Sequence, residues 1–148
     1  MTDNRGKWQM KNPQRPSPRS PLSTLNSPLS KGPLWIKSFS FALRVVKLAK
    51  YLQDEKKEYV LSKQVLRSGT SIGALVREAE HAESKPDFAH KMNIALKEAN
   101  ETLYWLELLY QAEYIAEQSY ESIRTDSEEL VKLLVSIVKT TKASIRAQ

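Results

Sequence analysis

Apolar residues recur every three or four positions through most of this chain, and that spacing limits the folds it can adopt. The period matches the 3.6 residues of an α-helical turn, so each segment would bury one stripe of its surface. The pattern predicts helices at about 38–53, 60–83, 84–116 and 119–146. Long amphipathic helices joined by short loops predict an all-α fold, an antiparallel up-down-up-down four-helix bundle.

The predicted core consists of the apolar stripe of each helix. On the first helix the stripe includes Ala42, Val45, Val46, Ala49 and Leu52. Ser84–Asp87 is a strong start signal for the third helix, because it offers a capping serine, a proline in the first turn and an early carboxylate. The other stripes comprise Leu61, Val65, Ser68, Ile72, Val76 and Ala79, then Phe88, Met92, Ala95, Ala99, Thr102, Leu106 and Tyr110, then Ile123, Leu130, Leu134, Ile137, Thr141 and Ile145.

The second helix contains two glycines, Gly69 and Gly73, four positions apart. Glycine inside a helix costs about 1 kcal/mol relative to alanine, so this pair needs a reason. The surrounding Arg67–Gly73 lacks the Gly-Lys-Ser/Thr ending of a phosphate-binding loop. We therefore interpret the two glycines as positions where a neighbouring helix backbone approaches closely.

The first 36 residues differ from the rest in composition. They hold six of the seven prolines and six basic residues against one acidic residue, a net charge of +5, whereas the remaining 17 basic and 16 acidic residues give +1. Such a segment buries too little apolar surface to offset its ordering entropy. We predict a disordered Pro/Ser-rich extension at 1–36 and the bundle at 37–148. The extension is interpreted as a solvated tail or as a basic arm that contacts nucleic acid. Its Arg and Ser content also fits an organelle transit peptide, but the dense proline opposes the amphipathic helix that such a peptide needs.

The residue types exclude several kinds of chemistry. The chain has no cysteine, which rules out disulfides and zinc–thiolate sites. Both histidines, His81 and His90, fall on outward faces of their helices, so we expect no metal site, no cofactor and no nucleophile–base pair. The expected protein is non-enzymatic. No apolar run approaches the roughly 18 residues that a membrane helix needs, so a cytoplasmic location is expected.

Basic residues form two rows on the predicted helix surfaces. Such rows are either solvated faces or phosphate contacts that are independent of nucleotide sequence. The second interpretation assigns them to RNA or DNA binding. The rows are Arg44, Lys47 and Lys50 on the first helix and Lys132, Lys139, Lys142 and Arg146 on the fourth.

The third helix is apolar on more than one face. Wider helix packing would explain this, and so would a subunit interface, because exposed aromatic clusters mark contact surfaces. We favour the interface, which predicts a homo-oligomer. The residues off the core stripe are Ile94, Tyr104, Trp105 and Leu108.

Several stretches together resemble a bacterial four-helix-bundle family associated with intervening sequences inside 23S rRNA genes, sometimes labelled ribosomal-protein-like. The resemblance spans about 37–142, and Arg67–Gly73 is its most diagnostic part. The stretches are Ser38–Ala42, Leu61–Ala74, Ser84–Phe88 and Ala95–Leu106.

The resemblance implies small bundles that assemble as homopentamers around a five-fold axis, with no enzymatic activity. The family is also similar to the accessory protein of diversity-generating retroelements, a basic pentameric barrel that binds nucleic acid and a reverse transcriptase. Two functions follow as expectations. The first is a homopentamer with weak, sequence-independent RNA or DNA binding, and the alternative is a scaffold or accessory subunit whose partner is another protein.

Overall fold

Four helices account for most of residues 32–148, the part of the chain that this computed structural model describes. Each helix packs against its neighbours in sequence, and α1 also packs against α4 over a smaller surface. The predicted all-α four-helix bundle is confirmed. Residues 1–31, most of the predicted extension, lie outside the described residues. The helices are α1 (Pro33–Asp54), α2 (Leu61–Ala79), α3 (Lys85–Gln111) and α4 (Glu117–Arg146).

The bundle is closed by contacts between its first and last helices. Lys37 of α1 pairs with Glu129 of α4, and Arg44 pairs with Asp126. Residue numbers rise along α1 as they fall along α4, so the two helices are antiparallel. The centre is apolar, and its largest fully buried side chains include Phe41, Leu52, Ile72, Met92, Leu106, Leu109, Leu130 and Leu134.

α1 starts earlier than predicted and buries a different stripe. It begins at Pro33, not near residue 38, because proline suits the first helical turn and Gly32 is extended ahead of it. Leu34 is buried, so Pro33–Ile36 belong to the bundle. The prediction for Val46 was wrong: its side chain is 47% exposed, while Phe41 and Val45 fill the core.

α3 ends at Gln111, about five residues before the predicted end. Glu113 has a φ of 65°, in the left-handed region that usually takes glycine. Its N–H donates to the Tyr110 carbonyl, and the Tyr114 N–H donates to the Leu109 carbonyl (2.9 Å). These two bonds form a Schellman turn, which closes the helix without the glycine that would have marked it in the sequence.

The start of α3 agrees with its sequence signal. The Asp87 N–H donates to the Ser84 Oγ (3.1 Å), and the Glu83 N–H donates back to the Asp87 carboxylate (3.1 Å). The chain at Ser84 is extended, so α2 cannot continue into it. α2 itself ends earlier, at Ala79 and not at the predicted Glu83, because the N–H groups of residues 80–82 bond to carbonyls three residues back, in the tighter 3₁₀ pattern.

Glu58 caps α2 from two residues before the helix N-cap. Its buried carboxylate accepts the N–H groups of Val60, Leu61 and Ser62 at 2.7–2.9 Å. Burial alone raises the pKa of the Glu58 carboxyl, but the three backbone donors bring the pKa below its ordinary value of 4.5. The α1–α2 connection is thereby fixed by one side chain.

The two glycines of α2 are buried against α1 of the same chain. A Cβ at Gly69 would lie 2.7 and 2.8 Å from the two Cγ atoms of Val45. A Cβ at Gly73 would lie 3.4 Å from the backbone oxygen of Ser38, an ordinary contact. The α1 backbone is therefore closest at Gly73, whereas Gly69 makes room for a side chain.

The two glycines should respond differently to alanine. Alanine normally gains about 1 kcal/mol over glycine in a helix, but overpacking costs roughly 1–3 kcal/mol. At Gly69 the stiff valine cannot move aside, so we expect Gly69→Ala to lower the melting temperature and Gly69→Leu to disrupt packing or assembly. Gly73→Ala is the matched control and should leave the melting temperature unchanged or higher.

Adding Val45→Ala to Gly69→Ala should recover part of the loss, because it removes the two clashing methyl groups. Thermal unfolding followed by circular dichroism measures all four variants. Equal melting temperatures for Gly69→Ala and Gly73→Ala would contradict the assignment of the clash to Val45.

Stability should depend on pH through Glu58. Its pKa is lowered in the folded chain, so the carboxylate contributes fully above about pH 4.5, and the contribution is lost as the pH falls through the folded value. We expect Glu58→Gln to reduce the free energy of unfolding by about 1 kcal/mol at pH 6, a typical helix-cap effect. The difference from the parent should shrink at pH 3. Urea unfolding at pH 6 and pH 3 measures this difference. Glu55→Gln, at an exposed position, is the control and should change the free energy of unfolding little.

Candidate functional site

The second half of α4 carries an exposed basic row, which we call the α4 row. It consists of Lys132, Lys139, Lys142 and Arg146. No carboxylate among residues 32–148 forms an ion pair with any of them. The acidic residues of α4 all lie earlier, up to Glu129. The row is therefore a positively charged patch on a bundle that is nearly neutral in total.

The predicted basic row on α1 is less uniform. Arg44 is half-buried and donates to the Asp126 carboxylate and to the backbone oxygen and hydroxyl of Ser122. Lys47 and Lys50 are exposed, and no carboxylate of the described residues pairs with them. Much of the charge of Arg44 is thus compensated inside the bundle, and the free cations of α1 are the two lysines.

A second apolar stripe runs along the outside of α1. Ile36, Phe39, Leu43 and Val46 are each about half exposed, at 47–57%. Their spacing of three, four and three residues is that of a seam between two packed helices. We call these four residues the α1 outer stripe. Such an uncovered row on one helix is typical of a contact surface.

One end of the α1 outer stripe carries an arginine between two aromatic rings. The guanidinium carbon of Arg77 lies 4.5 Å from the ring centre of Trp35 and 5.1 Å from that of Phe39. These are cation–π distances. These contacts between Arg77 and the two rings hold α2 against the first turns of α1, and they place a cation beside the α1 outer stripe.

The four residues predicted for an interface on α3 differ in exposure. Tyr104 is 58% exposed, and its ring packs edge-on against that of Trp105, with centres 5.0 Å apart. Trp105, Ile94 and Leu108 are half-buried. Apolar exposure is thus greater on α1 than on α3, and the interface on α3 stays a prediction.

A charged network surrounds Trp105 on the outer face of α2 and α3. Arg67 pairs with both Glu98 and Glu101, and the Trp105 Nε1–H donates to Glu101 (3.1 Å). The hydrogen bond from Arg67 lowers the pKa of the Glu101 carboxyl. Thr70 donates back to a carbonyl of its own helix. The Arg67–Gly73 stretch is therefore occupied by contacts within the bundle.

The two histidines lie on the surface near the α2–α3 connection. Both His81 and His90 are exposed. Among residues 32–148 no group of three or more His, Cys, Asp or Glu side chains is placed to hold a metal ion. No helix in that range is long and apolar enough to cross a bilayer.

Comparison with known proteins agrees with this architecture. The chain is similar to a crystal structure, from Bacteroides thetaiotaomicron, of a protein of unknown function from the S23 ribosomal protein family. The two are 62% identical, with a TM-score of 0.71, and the match covers 72% of this chain and 95% of that one. No curated protein matches the chain.

The fold defines the protein as a four-helix bundle with charged and apolar outer surfaces. The family model described as 23S rRNA-intervening sequence protein matches residues 31–136. The chain belongs to this family, as its resemblance predicted. Neither description names an enzymatic activity. The relation to the retroelement accessory protein stays a prediction.

Sequence reasoning missed the α1 outer stripe. α1 carries apolar residues on two sides, and the pattern alone does not say which side faces the bundle. A count of both stripes would have revealed the second one, because Ile36, Phe39, Leu43 and Val46 keep a regular spacing through eleven residues.

Proposed function

We propose that this protein is a non-enzymatic, homo-oligomeric bundle of the bacterial cytoplasm that binds RNA or DNA weakly and without sequence preference. The observation that carries the proposal is the α4 row, four exposed cations with no carboxylate partner among residues 32–148. Cations in this state attract phosphate backbones by releasing counterions, and this attraction does not depend on base sequence. The family description, which refers to 23S rRNA, also supports nucleic-acid binding.

Assembly would strengthen so small a patch. One bundle offers four cations in the α4 row, which favours only weak binding. Several copies in a ring would present several rows to one strand, and linked sites bind far more tightly than single ones. The family resemblance implies a pentamer, and we adopt that number for the proposal.

The α1 outer stripe is the surface that we assign to assembly. Its half-exposed residues have the spacing of a helix seam, and a second copy would bury them. The lysines of the α4 row lie on another helix, so assembly through α1 need not cover them. The α3 surface around Tyr104 is the competing interface.

Assembly through α1 predicts a specific loss. Leu43→Glu places a charge in the middle of the stripe, where burial of an unpaired carboxylate is unfavourable. We expect light scattering on the purified full chain to give an oligomer for the parent and a monomer for Leu43→Glu. Tyr104→Glu is the matched variant on α3 and should leave the oligomer intact.

A monomer for Tyr104→Glu together with an oligomer for Leu43→Glu would assign the interface to α3. A parent chain that is itself monomeric would remove the oligomeric part of the proposal. The alternative function, a scaffold whose partner is a different protein, predicts instead a specific protein that co-purifies with the chain.

Nucleic-acid binding should depend on the α4 row and on salt. Reversal of Lys132, Lys139 and Lys142 to Glu removes three phosphate contacts. We expect the slope of log affinity against log salt to fall by roughly 2 to 3, since each contact contributes roughly 0.7–0.9. Fluorescence anisotropy with a labelled RNA strand at several salt concentrations measures the slope.

The control is a second triple variant with the same change in net charge. It reverses three exposed lysines on other surfaces, Lys57, Lys63 and Lys97. It should bind nearly as well as the parent. A chain shortened to residues 31–148 should retain binding at low salt, and binding found only when residues 1–30 are present would move the activity to the basic extension.

A further inference from the structure

A groove of about 440 Å³ opens between α1 and the first turns of α4. α1 and α4, the two helices on either side of it, share a smaller contact surface than the other pairs of neighbouring helices. The volume falls within the roughly 300–1,000 Å³ of small-molecule sites. The groove is thus large enough for a ligand of the size of a nucleotide.

The floor of the groove is apolar and its mouth carries an aromatic ring. Ile115 and Ile123 are almost fully buried, at 6% and 5% exposure, and the half-buried Leu48 completes this surface. Tyr51 also lines the groove, and 42% of it is exposed. An exposed tyrosine beside an apolar floor offers a face on which a flat aromatic group can stack.

Two cations line the same groove, and no acidic side chain does. Arg44 is held in place by Ser122 and Asp126, so its position is fixed before any ligand arrives. Asp126 also offsets part of its charge. Lys47 forms no ion pair with a carboxylate of residues 32–148, and it supplies the uncompensated charge.

These features call for a ligand with both a flat aromatic part and an anionic part. A bare anion would leave the apolar floor uncovered, and an apolar ligand would leave the two cations unused. A nucleotide carries a base and a phosphate on one frame. We infer that this groove binds one nucleotide, with the base at Tyr51 and the apolar floor and the phosphate at Arg44 and Lys47.

This inference rests on the proposed nucleic-acid binding and names the ligand unit that one bundle recognises. A free mononucleotide and an unpaired nucleotide of a strand offer the same chemistry. The groove and the α1 outer stripe lie on different sides of α1, roughly 110° apart at 100° per residue. Lys47 is the groove residue nearest the stripe, and assembly through the stripe would leave the side of the groove formed by Leu48 and Tyr51 open.

The test uses the full chain and four probes: adenosine 5′-monophosphate, adenosine, inorganic phosphate and a 5′-phosphorylated oligoadenylate strand. Titration calorimetry gives the affinities. We expect adenosine 5′-monophosphate to bind at least about fivefold more tightly than adenosine or phosphate alone. Tyr51→Ser should weaken the mononucleotide by about fivefold or more, the minimum expected from loss of one stacked base.

Two matched controls separate the groove from general effects. Tyr59→Ser removes another exposed tyrosine, from the α1–α2 connection, and should leave the affinity unchanged. Lys47→Gln should weaken nucleotide binding, whereas Lys97→Gln, an exposed lysine on α3, should not. Tyr51 and Lys47 are both exposed, so circular dichroism should give each variant a melting temperature close to that of the parent.

Each outcome gives a decision. If the affinity for the mononucleotide falls in the Tyr51 and Lys47 variants, the inference is supported. If only the affinity for the strand falls in these variants, the inference is supported with a nucleotide of the strand as the ligand. Strand binding that is lost on reversal of the α4 row but unaffected by Tyr51→Ser overturns the groove and retains the proposed function. Absence of binding to every probe overturns both.

Discussion

The close contact between α1 and α2 is the constraint on which the other surfaces depend. Gly69 accepts the methyl groups of Val45, and Gly73 accepts the backbone at Ser38, so α1 lies deep against α2. α1 makes a smaller contact with α4 on its other side. An α1 held this close to α2 leaves a groove on the α4 side. It also presents its second apolar stripe outward.

The basic residues of α4 stay accessible partly because α4 is longer than α1. α4 has 30 residues and α1 has 22, and the pairing of Lys37 with Glu129 places the last turns of α4 beyond the start of α1. Two acidic residues of α4, Asp126 and Glu129, lie where α1 supplies a cation for each. The last three cations of the α4 row lie beyond the first residue of α1: Lys139, Lys142 and Arg146. Cations near a helix C-terminus also oppose its dipole, so this placement stabilises α4 while leaving the charge accessible.

Periodicity was sufficient to predict four helices and most core residues, because an amphipathic stripe depends only on spacing within one helix. The helix ends were harder. The turn that ends α3 contains Glu113, which adopts a left-handed conformation without being glycine, and α2 is capped by Glu58, which is not a preferred capping residue. The start of α3 was predicted correctly because Ser84 is a preferred cap. Local signals therefore succeeded only where the residue type matched the backbone conformation.

The candidate surfaces depended on information that no single helix contains. Whether Arg44 is free or neutralised is decided by the register of α4, which places Asp126 and Ser122 beside it. Sequence therefore assigned Arg44 to the same role as Lys47, although only the lysine is uncompensated. The same register brings Ile115 and Ile123 into one groove with Tyr51, although each lies more than 60 positions from it in the chain. A helical wheel separates the apolar side of one helix from its polar side. A site shared by two helices depends in addition on the axial register between them, which the wheel does not contain.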